Sequence, residues 1–234
     1  MLLLALDTST PVISVAISRN DSTLALLSYS RGRSDSGRLL SAVDAALSYA
    51  GLKLEDCRAV AVAVGPGSFT GLRVGIATAQ GLAEGGGLSV VGVPTLEAYA
   101  YAVAGVEGLL CPMLDARKKE VYVAGYRWEE DQLVELWSPV ASSPDTLALR
   151  IGGRSVLLFG EGASAYRDQL AASLGSKARF GPTDLALSNA SRVARLGAER
   201  LERDGGVEPA ELRPIYGRLS EAEMSVDQHA SEGN

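Results

Sequence analysis

Short apolar runs separated by polar turns fill most of the chain, and longer segments with apolar residues at every third or fourth position lie between them. The short runs predict strands, and the longer segments predict amphipathic helices. In the first half, predicted strands span residues 2–6, 12–18, 23–29, 60–64 and 88–93, and predicted helices span 36–50, 69–84 and 95–104. This alternation predicts an α/β fold with mixed sheets flanked by helices.

The second half repeats the order of the first. Asp7 follows the first strand and opens a polar turn before two more strands, and Asp115 does the same. We therefore expect two similar lobes, residues 1–104 and 105–218, with a cleft between them where ligands commonly bind. The acidic stretch 219–234 has little to bury and is expected to be a disordered tail. In this half, predicted strands span 109–114, 120–128, 133–137 and 156–159, and predicted helices span 163–174 and 189–203.

A glycine turn links the strand at 60–64 to the helix at 69–84. Gly65 and Gly67 permit positive φ and close backbone approach, and Ser68 is a candidate helix N-cap. Strand, turn and helix N-terminus can hold an anion on backbone N–H groups, but the same turn can serve packing alone. The spacing matches neither G-x-G-x-x-G nor a Walker A loop. Gly160 and Gly162 form a similar turn in the second half.

The helix at 69–84 carries small residues on one face. Gly71, Gly75 and Ala79 recur every fourth residue, so this face has almost no side chain. Because glycine inside a helix costs about 1 kcal/mol relative to alanine, the pattern indicates that another backbone approaches closely. The sequence leaves open whether that backbone belongs to the same chain or to a partner.

Composition excludes several classes of function. The formal net charge is -6, which disfavours strong nucleic-acid binding by this chain alone. The only histidine is His229, in the acidic tail. A Ser-His-Asp triad or a His-based zinc site would therefore lack its histidine. Cys57 and Cys111 form no CxxC motif, and we find no membrane-spanning run, so a reducing, cytoplasmic setting is expected.

Five motifs resemble the TsaB (YeaZ) family, within the actin, sugar-kinase and Hsp70 ATPase superfamily. The resemblance implies a two-lobed actin-like fold and covers nearly all of the chain except the tail. The run at 65–75 is the most specific of the five. The motifs are LDTST at 6–10, GPGSFTGLRVG at 65–75, VPTLEA at 93–98, DARKKEVY at 115–122 and LRPIY at 212–216.

The resemblance implies a scaffold rather than an enzyme. A TsaB-like chain pairs with a TsaD-type catalytic subunit, and a TsaE-type ATPase joins them. Together they transfer threonylcarbamoyl to an adenosine beside the tRNA anticodon. The metal-binding His-x-x-x-His of TsaD-type chains is replaced here by Thr95 and Tyr99, so we expect no metal and no cofactor. The family also forms homodimers when the partner is absent.

The helices at 36–50 and 69–84 are expected to form the partner interface, although they could merely cover the chain's own sheet. On this hypothesis, Gly75→Leu blocks association and leaves the monomer folded. The expected interface comprises Leu39, Val43, Leu47, Ser68, Phe69, Thr70, Gly71, Arg73, Val74, Gly75, Thr78 and Ala79.

A vestigial nucleotide site is a further expectation, carried over from the superfamily's phosphate-contacting turns. Its residues would be Asp7, Thr8, Ser9, Gly65, Gly67, Asp115, Gly160 and Gly162. Two alternatives to the scaffold stay open on the sequence. One is an independent ATPase or phosphotransferase that uses Asp7 and Asp115. The other is a metal-dependent glycoprotease, which the shortage of metal ligands disfavours.

Overall fold

The computed structural model describes residues 1–32 and 37–217, which form two five-stranded sheets covered by helices. The predicted tail at 219–234, with His229, and the predicted helix start at Ser36 lie outside these residues. The strands are β1 (Leu2–Asp7), β2 (Val12–Arg19), β3 (Ser22–Ser30), β4 (Ala59–Gly65), β5 (Ser89–Pro94), β6 (Leu109–Arg117), β7 (Glu120–Glu129), β8 (Gln132–Ser142), β9 (Val156–Phe159) and β10 (Ala178–Phe180). The helices are α1 (Arg38–Ala50), α2 (Phe69–Gly86), α3 (Thr95–Tyr101), α4 (Pro144–Ile151), α5 (Glu161–Ala165), α6 (Arg167–Leu174) and α7 (Asn189–Asp204).

The two sheets have the same topology. The first has the order β3-β2-β1-β4-β5, and the second has the order β8-β7-β6-β9-β10. In each, two antiparallel pairs are followed by parallel pairing of the first and fourth strands. The internal repeat and the mixed α/β architecture predicted from the sequence are therefore confirmed.

The first sheet is buried on both faces. Leu4 and Leu6 lie in one apolar cluster with the inner faces of α1 and α2, because side chains alternate across a strand. Ala5 and Ala61 lie on the opposite face, in a cluster with α3 and α7. This explains why β4 is a continuous run of small apolar residues.

Helix α7 packs on the first sheet although it follows the second sheet in the chain. A Cβ added at Gly197 would lie 2.6 Å from the Cβ of Ala61, so the helix approaches β4 at glycine distance. The sequence assigned residues 189–203 to the second lobe. The structure corrects that assignment, because the alanine-rich face of the first sheet leaves space for a closely packed helix.

Several elements of the second sheet differ from the sequence expectation. The helix predicted at 163–174 is two short helices, α5 and α6, separated at Tyr166, whose φ is -117° and ψ is 22°. Helix α4 and strand β10 were not predicted, and β8 extends beyond residue 137 to Ser142. Within residues 1–32 and 37–217, no helix is long and apolar enough to cross a bilayer.

Candidate functional site

A cavity of about 310 Å³ lies between the turns that follow β1 and β6. Ser9 and Pro11 line it from the first hairpin, and Asp115 and Arg117 line it from the second. The glycine turn before α2 and the start of α5 complete the wall through Ser68, Phe69 and Glu161. The cavity is thus at the interlobe position where the sequence placed a ligand cleft.

Asp7 is buried at the end of β1 and is 1% exposed. One carboxylate oxygen accepts a hydrogen bond from the Ser9 backbone N–H over 2.8 Å, and the other accepts one from the Asn189 side-chain amide over 2.7 Å. Burial raises the pKa of Asp7, against the lowering effect of these hydrogen bonds. Asp7 therefore joins the first hairpin to the start of α7 and has no open face toward the cavity.

Thr8 is hydrogen-bonded to helix α2. Its hydroxyl donates to the Gly71 carbonyl over 2.8 Å, and the Ser68 N–H donates to the Ser9 carbonyl over 2.7 Å. Arg31 also donates to the Thr8 carbonyl over 2.9 Å and to the Ser68 hydroxyl over 3.3 Å. The hairpin groups that would face a phosphate in the superfamily thus bind the chain itself.

The glycine turns are packing devices. A Cβ at Gly67 would lie 2.5 Å from the Ser9 carbonyl oxygen, and one at Gly162 would lie 2.9 Å from Leu114 backbone atoms. Gly65 and Gly160 have φ of 117° and 94°, conformations that favour glycine. Each turn therefore rests on the backbone of its own sheet's first hairpin.

The second hairpin and the start of α5 bring charged side chains to the cavity. The Asp115 carboxylate accepts from the Arg117 backbone N–H and guanidinium, both over 2.9 Å. The Glu161 carboxylate accepts from the Asp115 backbone N–H, and burial raises the pKa of Glu161. The Arg117 guanidinium lines the same part of the cavity, so one cation lies beside the two carboxylates. Residues 1–32 and 37–217 contain no group of three or more His, Cys, Asp or Glu placed to hold a metal ion.

The positions of the missing His-x-x-x-His motif have structural roles. The Thr95 hydroxyl oxygen accepts a hydrogen bond from the Gly65 N–H over 3.2 Å. Tyr99 is fully buried, and burial raises the pKa of its phenol well above the ordinary value. Neither residue offers the imidazole that a transition-metal site of that kind uses.

Half of the expected interface residues face inward. A Cβ at Gly71 would lie 2.1 Å from the Thr8 carbonyl oxygen, and one at Gly75 would lie 2.1 Å from the Thr8 hydroxyl. The close backbone neighbour of the glycine stripe is therefore this chain's own hairpin, and Gly75→Leu would disturb the fold itself. The expected interface residues that are buried within the chain are Leu39, Val43, Leu47, Gly71, Gly75 and Ala79.

The same two helices also carry exposed apolar side chains. Phe69 and Val74 on α2 are 46% and 42% exposed, and Leu40 and Tyr49 on α1 are 50% and 82% exposed. Leu40 and Tyr49 were not among the interface residues expected from the sequence. The adjacent pair Leu39 and Leu40 was the available signal, because successive helical residues lie about 100° apart and only one can face the sheet. Of the other expected interface residues, Thr70 and Arg73 are exposed, and Ser68 and Thr78 are half-buried.

The last described segment reinforces the start of α2. Phe69 packs on Tyr216 with ring centroids 5.3 Å apart, and the Arg73 guanidinium lies 4.1 Å from the Phe69 ring centre. Arg73 also donates to the Tyr216 hydroxyl over 3.2 Å. The Ile215 N–H donates to the Val64 carbonyl over 2.7 Å, which ties this segment to β4.

Two sheets of equal topology, each with a glycine turn seated on its first hairpin, define the actin-like ATPase class of fold. The ROK hexokinase of Thermus thermophilus shares this fold, with a TM-score of 0.50 at 14% identity over 85% of this chain and 99% of the hexokinase. A family model described as TsaD, tRNA N6-adenosine threonylcarbamoyltransferase, matches residues 31–223.

Closer similarity defines the particular family. The tRNA threonylcarbamoyladenosine biosynthesis protein TsaB of Bacillus subtilis is 31% identical over 95% of this chain and 96% of its own length. YeaZ from Pseudomonas aeruginosa has a TM-score of 0.79 at 30% identity, over 92% of this chain and 99% of YeaZ. The chain belongs to the TsaB (YeaZ) family, as its motifs predict.

Proposed function

We propose that this chain is a non-catalytic scaffold subunit in tRNA threonylcarbamoyladenosine biosynthesis. It binds a TsaD-type catalytic subunit through the outer faces of α1 and α2, and a TsaE-type ATPase joins the assembly in the cytoplasm. The names of the family model and of the TsaB relatives support the pathway. Without its partner, the chain uses the same surface to form a homodimer.

The exposed apolar side chains on α1 and α2 carry the proposal. Leu40, Tyr49, Phe69 and Val74 are between 42% and 82% exposed, on two helices whose inner faces are already buried. The proposal requires these side chains to contribute to one contiguous apolar patch with the partner, as is typical of an interaction site. Two parallel or antiparallel partner helices could pack their ridges against these outer faces and complete a helical bundle.

The chemistry of the cavity supports a non-catalytic role. Asp7 and Thr8 are hydrogen-bonded within the chain, and Asp115 is paired with Arg117. Both cysteines are buried, and burial raises the pKa of each thiol, so neither is an activated nucleophile. The independent ATPase alternative would need phosphate donors at this site that are not already used within the chain, since the Thr8 hydroxyl donates to Gly71 and the Arg117 guanidinium donates to Asp115.

Light scattering on a sizing column tests the interface. The full chain is run alone and mixed with the TsaD-type subunit from the same source, as wild type, Val74→Glu and Leu40→Glu. Leu149→Glu is the matched control, because Leu149 is 83% exposed on α4, on the second sheet's side of the molecule. We expect a one-to-one complex for wild type and Leu149→Glu, and loss of the complex for the two interface variants.

Two results would overturn the proposal. If Val74→Glu and Leu40→Glu bind the TsaD-type subunit as tightly as wild type does, the interface is elsewhere. If the isolated chain hydrolyses ATP in a magnesium-dependent way at rates that an Asp115→Asn variant abolishes, the non-catalytic assignment is wrong.

A further inference from the structure

One carboxylate in the interlobe cavity has no cationic partner. Glu161 begins α5 and lines the cavity of about 310 Å³. Its carboxylate accepts a hydrogen bond from the Asp115 backbone N–H. Among residues 1–32 and 37–217, it forms no ion pair with a lysine or an arginine. A carboxylate has about four acceptor sites on its two oxygens, so this hydrogen bond leaves most of them open.

Glu97 is a comparable side chain that does have a cationic partner. Like Glu161, it is half-buried, and burial raises the pKa of both carboxylates. The Arg200 guanidinium donates to Glu97 over 2.5 Å. A partly buried charge without a counter-charge costs free energy, because the protein interior solvates it poorly. Glu161 therefore lacks, within the described part of the chain, the kind of partner that Glu97 has.

The charged residues that line the cavity leave it with an excess of negative charge. They are Asp115, Arg117 and Glu161. Asp115 and Arg117 offset each other in an ion pair of 2.9 Å, and the Arg117 side chain is 79% exposed, so solvent screens much of its charge. The described residues provide no group of three or more His, Cys, Asp or Glu that could hold a metal ion. An organic cation is therefore the complement that this cavity favours.

The rest of the cavity wall suits the apolar body of such a cation. Pro11, Phe69 and Tyr122 supply apolar surface. The Tyr122 hydroxyl has no hydrogen bond to another described residue, and a phenol oxygen can accept one from an ammonium group. A volume of about 310 Å³ lies at the lower end of the range of small-molecule sites.

We propose that the interlobe cavity binds a primary ammonium group carried on an apolar chain, with Glu161 as its counter-ion. The ammonium donates to the Glu161 carboxylate, and the Tyr122 hydroxyl is a second acceptor on the wall. The group comes from a free amine or from a lysine side chain of the TsaD-type subunit, because Phe69 belongs both to this cavity and to the proposed partner surface. The site lies within this chain, so the inference does not depend on the proposed function.

Titration of the isotope-labelled chain with pentylamine, followed by the chemical shifts of the backbone amides, tests the site. Pentanol and pentanoate carry the same chain without a positive charge. Glu161→Gln removes the carboxylate charge at nearly unchanged size, and Glu84→Gln is the control at an exposed glutamate on α2. We expect millimolar binding of pentylamine that shifts the amides of residues 115–117 and 161–163. Binding should be roughly tenfold weaker in Glu161→Gln and unchanged in Glu84→Gln.

Addition of the TsaD-type subunit distinguishes the two sources of the ammonium group. If a lysine of that subunit is the ligand, Glu161→Gln weakens the complex several-fold, and the wild-type complex no longer binds pentylamine. If a free amine is the ligand, both chains form the complex equally well, and the wild-type complex still binds pentylamine.

Three results would overturn the proposal. The first is that pentanol or pentanoate binds as tightly as pentylamine, and the second is that Glu161→Gln binds pentylamine as tightly as wild type does. The third is that pentylamine does not shift the cavity amides and Glu161→Gln leaves the complex unchanged. A chain that binds pentylamine through Glu161 but does not bind the TsaD-type subunit supports this site and contradicts the proposed function.

Discussion

The Thr8 hydroxyl donates a hydrogen bond to the Gly71 carbonyl oxygen across 2.8 Å, and so fastens the first hairpin to the first turn of α2. The contact needs glycine at positions 71 and 75, because a Cβ at either would lie 2.1 Å from a Thr8 oxygen. The small-residue stripe on α2 therefore holds the hairpin, and Thr70, Arg73 and Val74 on the other side of the helix are exposed.

Gly75→Ala should destabilise the chain although alanine favours helices. Its Cβ would displace the Thr8 side chain, and such overpacking costs about 1–3 kcal/mol of unfolding free energy. Urea denaturation measures the effect. Gly81→Ala is the control on the same helix, because a Cβ there meets nothing within 4 Å. It should stabilise the chain by up to about 1 kcal/mol. Equal effects of the two substitutions would contradict the packing role.

Arg31→Ala should loosen the junction between the first hairpin and α2. The variant loses the hydrogen bonds from the guanidinium to the Thr8 carbonyl and the Ser68 hydroxyl, which together are worth about 1–3 kcal/mol. Hydrogen exchange should become faster at the amides of Ser68 and Gly71. Arg58→Ala, at an arginine that is exposed whereas Arg31 is half-buried, should change stability by less than about 0.5 kcal/mol. If the Ser68 and Gly71 amides of Arg31→Ala exchange as slowly as those of the wild type, Arg31 does not stabilise the junction.

Asp7→Asn should change how stability depends on pH. Burial raises the pKa of Asp7 above its ordinary value of 3.8, so the native state holds this proton more tightly than the unfolded state does. The unfolding free energy of the wild type therefore falls as the pH rises from 3.8 toward the raised pKa, and this contribution is constant above it.

The asparagine variant lacks this proton, and its amide can donate to the Asn189 side-chain oxygen once the Asn189 amide rotates. The measurement is urea denaturation of both proteins at several pH values. The unfolding free energy of the wild type minus that of Asp7→Asn should decrease as the pH rises from 3.8 to the raised pKa of Asp7. Since Glu97 and Glu161 are present in both proteins, their titrations cancel in the difference. A difference that rises with pH would show that the hydrogen bonds outweigh burial.

The two cysteines should resist thiol reagents in the folded chain. Cys57 is 4% exposed and Cys111 is fully buried, and burial raises the pKa of Cys57 to about 11. At pH 8 the Cys57 thiolate fraction is then roughly 100-fold below that of an unfolded thiol. Reaction with an aromatic disulfide reagent, with and without urea, measures this. Rapid labelling without urea would mean that the strands open locally.

The sequence by itself determined the local elements and their repetition. Periods of 2 and 3.6 in the apolar residues record which side chains are buried, so the strands, most helices and the equivalence of the turns at Asp7 and Asp115 could be predicted. The tight turn at Gly65 and Gly67 could be predicted for the same reason, because glycine requirements are local. The family motifs added the actin-like architecture.

Only the tertiary structure decided what each buried face meets. A periodic pattern shows that one face of a helix is covered, but it does not show which residues cover it. The stripe at Gly71 and Gly75 was therefore equally compatible with a partner chain and with Thr8 of this chain. Arg31 gave no local signal, and Asp7 and Asn189 meet across 182 residues of chain. Such contacts depend on how the sheets and α7 pack together, which no local pattern encodes. The same packing leaves the side chains of Leu40, Phe69 and Val74 exposed.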